Sequence, residues 1–411
     1  MNRVSAIFRA FKYRNFRLFF PGLAICQIGI WIQNIAISWL VYDLTKSPLT
    51  MGTVMFFNAI PLFLLTPFMG VIIDKFDRKK LLFLVQILFA VQALLMTITT
   101  MSDHIHLRYI ILCGIFLNCI ASLDAPLRQS TFVLLVDDKK DLQNAITLNA
   151  SMFSLARFIG PAVGGMLIAY TNITICFLIN FLCILPNIFL VKMMEINDIK
   201  DKNSTNENIF EGLKIGVSYV LHNSQILLLQ IYLAVFCLLM LAYPMLMPIY
   251  TVEVLNSNAH ILGYILGAVG VGSLVASLLL SAKTTINGMK RILYVGCTMI
   301  CITYVILGIC HNAYLTLIIA FFAGIGLTFV TSPQNILLQN IIDSEKRGRV
   351  MSINTLCYMG TISASSYLCG VLTHHFGIKE TFIILGVTMF IIGSILSYKL
   401  AKMNFCKIDN D

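Results

Sequence analysis

Charge is scarce in this sequence. Of its 411 residues only 12% are Asp, Glu, Lys or Arg, roughly half the share of a soluble globular chain. Carboxylates are the scarcer sign, 19 against 29 cations, while hydrophobic residues make up 58%. A soluble domain so apolar would have more hydrophobic surface than it could bury, so that class is excluded. Long polar stretches are missing apart from 195–208, which leaves no soluble sensor or scaffold domain. There is no C-x-x-C pair, and no His stands at metal-ligand spacing from the 12 scattered cysteines. Those cysteines read as small apolar filler, and neither metal nor cofactor is expected. H-E-x-x-H, G-x-S-x-G and phosphate-loop patterns are absent, which argues against an enzyme and against ATP-driven transport. His104, His106, His374 and His375 fall in loops or at the ends of apolar runs and form no site. The first apolar run is too long for a leader and follows a basic amphipathic stretch, Arg3 to Arg17, so no cleavable signal peptide is expected.

What the chain does have is twelve apolar stretches, each of about 20 residues, the length that crosses a bilayer as a helix. They read as 18–41, 49–73, 81–101, 107–127, 145–170, 174–194, 226–252, 261–282, 292–310, 314–334, 350–372 and 381–400. Lys and Arg are sorted between the gaps. With the N-terminus placed in the cytoplasm, 24 fall on the inner side and 3 on the outer, leaving Arg128 and Arg157 at or within the membrane. That asymmetry is the positive-inside pattern, so both termini are expected to be cytoplasmic. The net charge of +10 is therefore a topology signal and not a nucleic-acid footprint. The fold class expected is an all-α polytopic membrane protein of 12 transmembrane helices, with the lipid bilayer as its surroundings.

The polar segment 195–208 divides the chain, giving expected domains of 1–194, a linker at 195–225, and 226–411. Apolar residues at helical spacing over 209–221 predict an amphipathic helix on the inner membrane surface. The halves also echo one another. Ala125-Pro126, an acid–base loop and a span ending after Gly165 recur about 206 residues later as Ser332-Pro333, the loop from Asp343 and the run after Gly370. Two six-span repeats of like orientation are the plan of major-facilitator transporters, whose site lies near midplane between the halves.

Gly70-Val-Ile-Ile-Asp74-Lys75-Phe76-Asp77-Arg78-Lys79-Lys80 resembles the conformational-switch loop of that superfamily. Gly70 would permit close helix approach, and Asp74 would pair with cations or with a neighbouring helix N-terminus. Asp77 replaces the motif's usual second glycine. In the fifth span, Gly160-Pro161-Ala-Val-Gly164-Gly165 resembles the antiporter motif of major-facilitator exporters, with Thr147 and Ala156 where the motif has upstream glycines. Together with Asp124-Ala-Pro126-Leu-Arg128 and Asn144-Ala145 through Asn149, these residues resemble the branch holding the enterobactin exporter and macrolide-efflux permeases, the transmembrane secretion effectors. The resemblance implies a secondary transporter exporting an amphipathic organic compound, a siderophore or a drug, across a bacterial inner membrane. It implies alternating access, proton coupling and a functional monomer. Uptake of a small solute or siderophore by the same fold is the alternative.

Arg157 falls near the membrane midplane, where a charge costs about 2.5–3.5 kcal/mol. No carboxylate shares its depth, since Asp43 and Glu253 stand at span ends. Two readings stay open: a structural arginine bonded to carbonyls beside Pro161, or a cation that attracts an anionic group of the substrate. Asp124 and Arg128 are spaced to pair on one helix face near the inner end of the fourth span, and Asp124 is the nearest candidate for carrying a proton. Gln27, Trp31, Asn34 and Ser38 share a face of the first span, and Asn118 sits near midplane in the fourth. In major-facilitator folds these spans line the cavity, so this set, with Asn58, Tyr243 and Asn335, is the candidate substrate surface. Polar glue between helices is the competing reading. Tyr243-Pro244 and Pro248 predict a distorted seventh span.

Overall fold

The computed structural model describes residues 9–102, 105–132, 134–136, 138–195, 209–281, 286–343 and 346–403. Arg3, His104, most of the polar segment (196–208), Lys283, Ser344, Glu345 and Lys407 lie outside the described residues. All regular structure among the described residues is helical, and twelve helical segments are long and apolar enough to cross a membrane. Contacts group the chain into two units, Met1–Leu44 with Phe57–Thr205 and Thr45–Phe56 with Asn206–Asp411.

The first unit holds α1 (Arg14–Thr45), most of α2 (Pro48–Lys75), α3 (Arg78–Met101), α4 (Leu107–Phe132), α5 (Lys139–Tyr170) and α6 (Ile173–Met193). Asp77, in place of the expected glycine, caps α3 by accepting from the Lys80 amide at 2.9 Å, satisfying one donor that a helix start leaves over. The helices meet through small residues and amides. A Cβ built on Gly22 would lie 2.7 Å from Asn187 Oδ1, and one on Gly29 would lie 2.7 Å from Asn180 Oδ1. Each asparagine of α6 thus seats on a glycine of α1, the close approach that small residues allow in membranes.

The second unit contains α7 (Ile209–His222), α8 (Ser224–Met240), α9 (Tyr243–Glu253), α10 (Ala259–Ser281), α11 (Ile286–Ile309), α12 (Ala313–Ile341), α13 (Arg347–Phe376) and α14 (Ile378–Lys402). The amphipathic helix predicted over 209–221 is α7. The seventh span is interrupted between α8 and α9 by Leu241 and Ala242, where the prolines predicted distortion. Pro244 has no amide to offer the carbonyl four residues back, and the Tyr304 hydroxyl donates to that Met240 oxygen instead. Between α13 and α14 stands Gly377 at φ 89°, a left-handed conformation that glycine adopts without steric cost. Thr45–Phe56, which the sequence leaves in the first half, packs in the second unit. There Gly52 lies so close to α13 that a Cβ would be 2.5 Å from the Ser366 carbonyl oxygen and 3.0 Å from Gly370 Cα.

The repeat seen in the sequence has a matching pair of clasps, one in each unit. Tyr13, just before α1, donates to Asp141 of α5 at 3.0 Å, and Lys12 pairs with the same carboxylate at 2.5 Å. Tyr219 of α7, just before the seventh span, donates to Asp343 at 2.9 Å, ahead of α13. A lysine lies over each ring, Lys12 at 4.8 Å and Lys346 at 4.5 Å. The Lys12 hydrogen bond, more than any other contact, holds the Asp141 carboxyl below its ordinary range. A depressed pKa means the clasp contributes fully above the ordinary value of about 3.9 and is lost only as pH falls through the lower folded value. Asp141→Asn is therefore expected to free the segment before α1 at neutral pH. Limited trypsin digestion should then cut at Lys12 and Arg14 several-fold sooner than in the parent, and equal cutting would show that the clasp restrains nothing.

Candidate functional site

The polar face of α1 divides along its length. Gln27 is buried, Trp31 and Ser38 are half-buried, and Asn34 is exposed. Arg157 stands 13 residues from either end of the span Asn144–Tyr170, at its middle. Its guanidinium lies 5.3 Å over the ring of Trp31. Arg157 is exposed, and it makes no hydrogen bond or ion pair with a described residue. The carbonyl-bonded arginine beside Pro161 is therefore not what this arrangement contains.

The seam beneath that pair is the glycine motif of α5. A Cβ on Gly160 would come within 2.3 Å of Trp31 Cβ and 3.1 Å of the Ile28 carbonyl oxygen. One on Gly164 would be 2.5 Å from Ile35 Cγ2. Pro161 and Gly165 are buried in the same stretch. The motif thus lays α5 against α1 and, at Gly160, sets where Trp31 and its partner cation stand.

Toward the far end of α4, Asp124 and Arg128 pair at 2.9 Å, with side chains only 7% and 13% exposed. Arg128 also lies 5.0 Å over the Phe153 ring of α5. Among the described residues, Asp124 Oδ1 and Arg128 Nε and Nη1 have no hydrogen-bond partner. Buried atoms of a charged group left unmatched are costly.

Other expected residues serve packing here. Asn58 is buried with its amide against Gly114, where a Cβ would be 2.4 Å away, and Asn118 donates to the Gly114 carbonyl oxygen at 3.0 Å. Both mark the seam of α2 and α4. The close approach expected at Gly70 is corrected by the structure: Gly70 is exposed, and a Cβ there would meet nothing within 4 Å. Its neighbour Asp74 is exposed, as is Lys75, while Arg78 and Lys79 are half-buried at the head of α3. In the second unit, Tyr243 opens α9 at the break, and Asn335 accepts from Gln339 within α12. The rings of His374 and His375 meet edge to face at 5.2 Å, and no group of metal-binding side chains occurs among the described residues.

The sequence reading missed an amide network. Asn180 donates to Gln33 Oε1 at 2.8 Å, Gln33 donates to Gln92 Oε1 at 2.9 Å, and all three are buried. It joins α6, α1 and α3. The available signal was polarity at matching depth in apolar spans, which names the members but not the pairs.

Comparison with known proteins places the chain. A family model described as transmembrane secretion effector matches residues 5–410. The staphyloferrin A transporter of Staphylococcus aureus is 26% identical over 379 residues, spanning 90% of this chain and 93% of that protein. Macrolide efflux protein A of Streptococcus pyogenes is 21% identical over 385 residues, 91% and 94% of the two chains. Among solved structures, the nucleoside transporter NupG superposes with a TM-score of 0.73 at 11% identity, covering 95% of this chain and 99% of that one.

Proposed function

The chain belongs to the transmembrane secretion effector family of major facilitator transporters, and on that premise we propose that it exports an amphipathic organic compound bearing an anionic group. The observation that carries the anionic part is Arg157, exposed at mid-span, held on Trp31 and without an acidic partner among the described residues. A mid-membrane cation is costly unless water or an anion meets it. A ring beside a guanidinium, with Asn34 one helical turn away, suits an organic anion with a flat or cyclic body. The names of two relatives, a siderophore transporter and a macrolide efflux protein, supply the substrate types to try first.

In this reading the protein sits in a bacterial plasma membrane with both termini cytoplasmic, as the 24-to-3 sorting of cations supports. It works as a monomer by alternating access, with 1–194 and 226–411 as the moving halves and 195–225 as their linker. Gly70, Asp74, Lys75, Arg78 and Lys79 form the switch between orientations, and Gly160, Pro161, Gly164 and Gly165 the tight seam of an antiporter. Asp124 carries the proton. Protonation would release Arg128 from it, and the guanidinium's unmatched nitrogens could then meet a substrate anion on its way from the cytoplasmic side.

The test is accumulation of a labelled siderophore and of a labelled macrolide in deletion and overexpressing cells, with and without a protonophore. Overexpression is expected to lower accumulation of one compound several-fold, and the protonophore to abolish the difference. Higher accumulation on overexpression would replace export by uptake. No difference for either compound would sink both substrate types.

A further inference from the structure

The second unit carries a groove on its outer helices with a basic mouth. At one end, a cleft of about 630 Å³ is walled by α11, α12 and α14, and its rim includes Lys290, Arg291, Ser394 and Tyr398. Lys290 donates to the Met403 carbonyl oxygen at 2.6 Å, which pins the end of α14 beside the head of α11. Lys402, next in sequence to the lining residue Ala401, lies 4.4 Å over the ring of Tyr398, which itself lines the cleft. No carboxylate lines the cleft among the described residues.

Tyr294 is shared with a second cleft of about 450 Å³ that runs along α11 to Ile306 and is closed on its other side by Ile319 and Phe322 of α12. Its threonines do not make it polar: Thr298 donates to the Tyr294 carbonyl oxygen at 3.0 Å and Thr303 to that of Ile300 at 2.8 Å. Only methyl groups and apolar side chains are left to face the groove. From Tyr294 to Ile306 the helix rises about 18 Å, so the furrow begins just below the basic mouth and runs past the middle of the span Gly288–Ile309.

We propose that this groove binds an anionic phospholipid, its headgroup phosphate at Arg291 and Lys402 and one acyl chain along the α11–α12 furrow. The layering matches the molecule: cations and two tyrosines at the interface, a serine to donate to phosphate, then a dry furrow long enough to lay an acyl chain in. A free phosphate would use the mouth and have no need of the furrow. A neutral lipid would use the furrow and gain nothing from the mouth. The site is separate from Arg157 and Asp124 and does not depend on what the protein transports.

Native mass spectrometry of the full-length protein, released from detergent with phosphatidylglycerol or phosphatidylcholine of the same chains, tests this. The parent is expected to retain phosphatidylglycerol far more, with each rim cation worth about fivefold in retention. Arg291→Gln with Lys402→Gln should bring it to the phosphatidylcholine level, while Arg17→Gln, an exposed cation of α1, should leave it unchanged. Adding glycerol phosphate should not displace the lipid. Equal retention of the two lipids, an equal loss in Arg17→Gln, or displacement by glycerol phosphate would each overturn the assignment.

Discussion

Replacing Arg157 by glutamine is expected to raise the apparent KM for the exported anion by about 10- to 150-fold, the loss of one charge-assisted hydrogen bond, with turnover little changed. That split is what removing an interaction present in both ground and transition states produces. The fold should survive, because Arg157 is exposed and its contact with a described side chain is the Trp31 ring. Trp31→Ala should act in the same direction by less, since a cation over a ring contributes about 0.5–2 kcal/mol. Arg157→Lys keeps the charge but loses the planar fork that stacks and binds oxygens in pairs, so it should fall between. Transport kinetics measured in inverted vesicles, for the compound and for its neutral ester, check the argument. The ester should be indifferent to the substitution. Unchanged KM for the anion, or an equal rise for the ester, would reduce Arg157 to a structural role.

What the sequence made legible follows from what single residues dictate. Span length, cation sorting and the proline-marked break at Tyr243 are local signals, and among the described residues twelve helical segments are long and apolar enough to cross a membrane, with an interruption at Leu241 and Ala242. The spacing of Asp124 and Arg128 likewise required their proximity, because i and i+4 share a helix face. Pairings across helices were not legible. Depth and face place Gln33, Gln92 and Asn180 in the membrane, but which amide meets which depends on the rotation of three helices about one another. Glycines misled for the same reason. Gly70 lies in open space, whereas Gly272 and Gly324, which no motif singled out, are so close to their neighbours that a Cβ on either would come within 2.0 Å of a backbone oxygen. A glycine announces that there is no side chain; the partner that needs the room is on another helix.

The largest stability effect is expected at Asp124. Asp124→Asn leaves the Arg128 guanidinium, 13% exposed and already short of partners at Nε and Nη1, without its counter-charge. Removing one member of a buried pair costs about 3–5 kcal/mol, so the variant should melt well below the parent in detergent. A loss of driven export in that variant alone would be ambiguous, since poor folding would produce it too. The double variant Asp124→Leu with Arg128→Met separates the two, because replacing both charges by apolar side chains of similar size is often neutral or stabilising. Its stability should return toward the parent's, and the parent, Asp124→Leu, Arg128→Met and the double variant together give the coupling energy of the pair. If Asp124 carries the proton, the double variant should still exchange substrate down a gradient but fail to lower cellular accumulation, and a protonophore should then have no effect. Protonophore-sensitive export by a stable double variant would remove Asp124 from the coupling path. Since the sequence has no carboxylate at mid-span, the driving ion would then have to be sought at the span ends, where Asp43 and Glu253 stand.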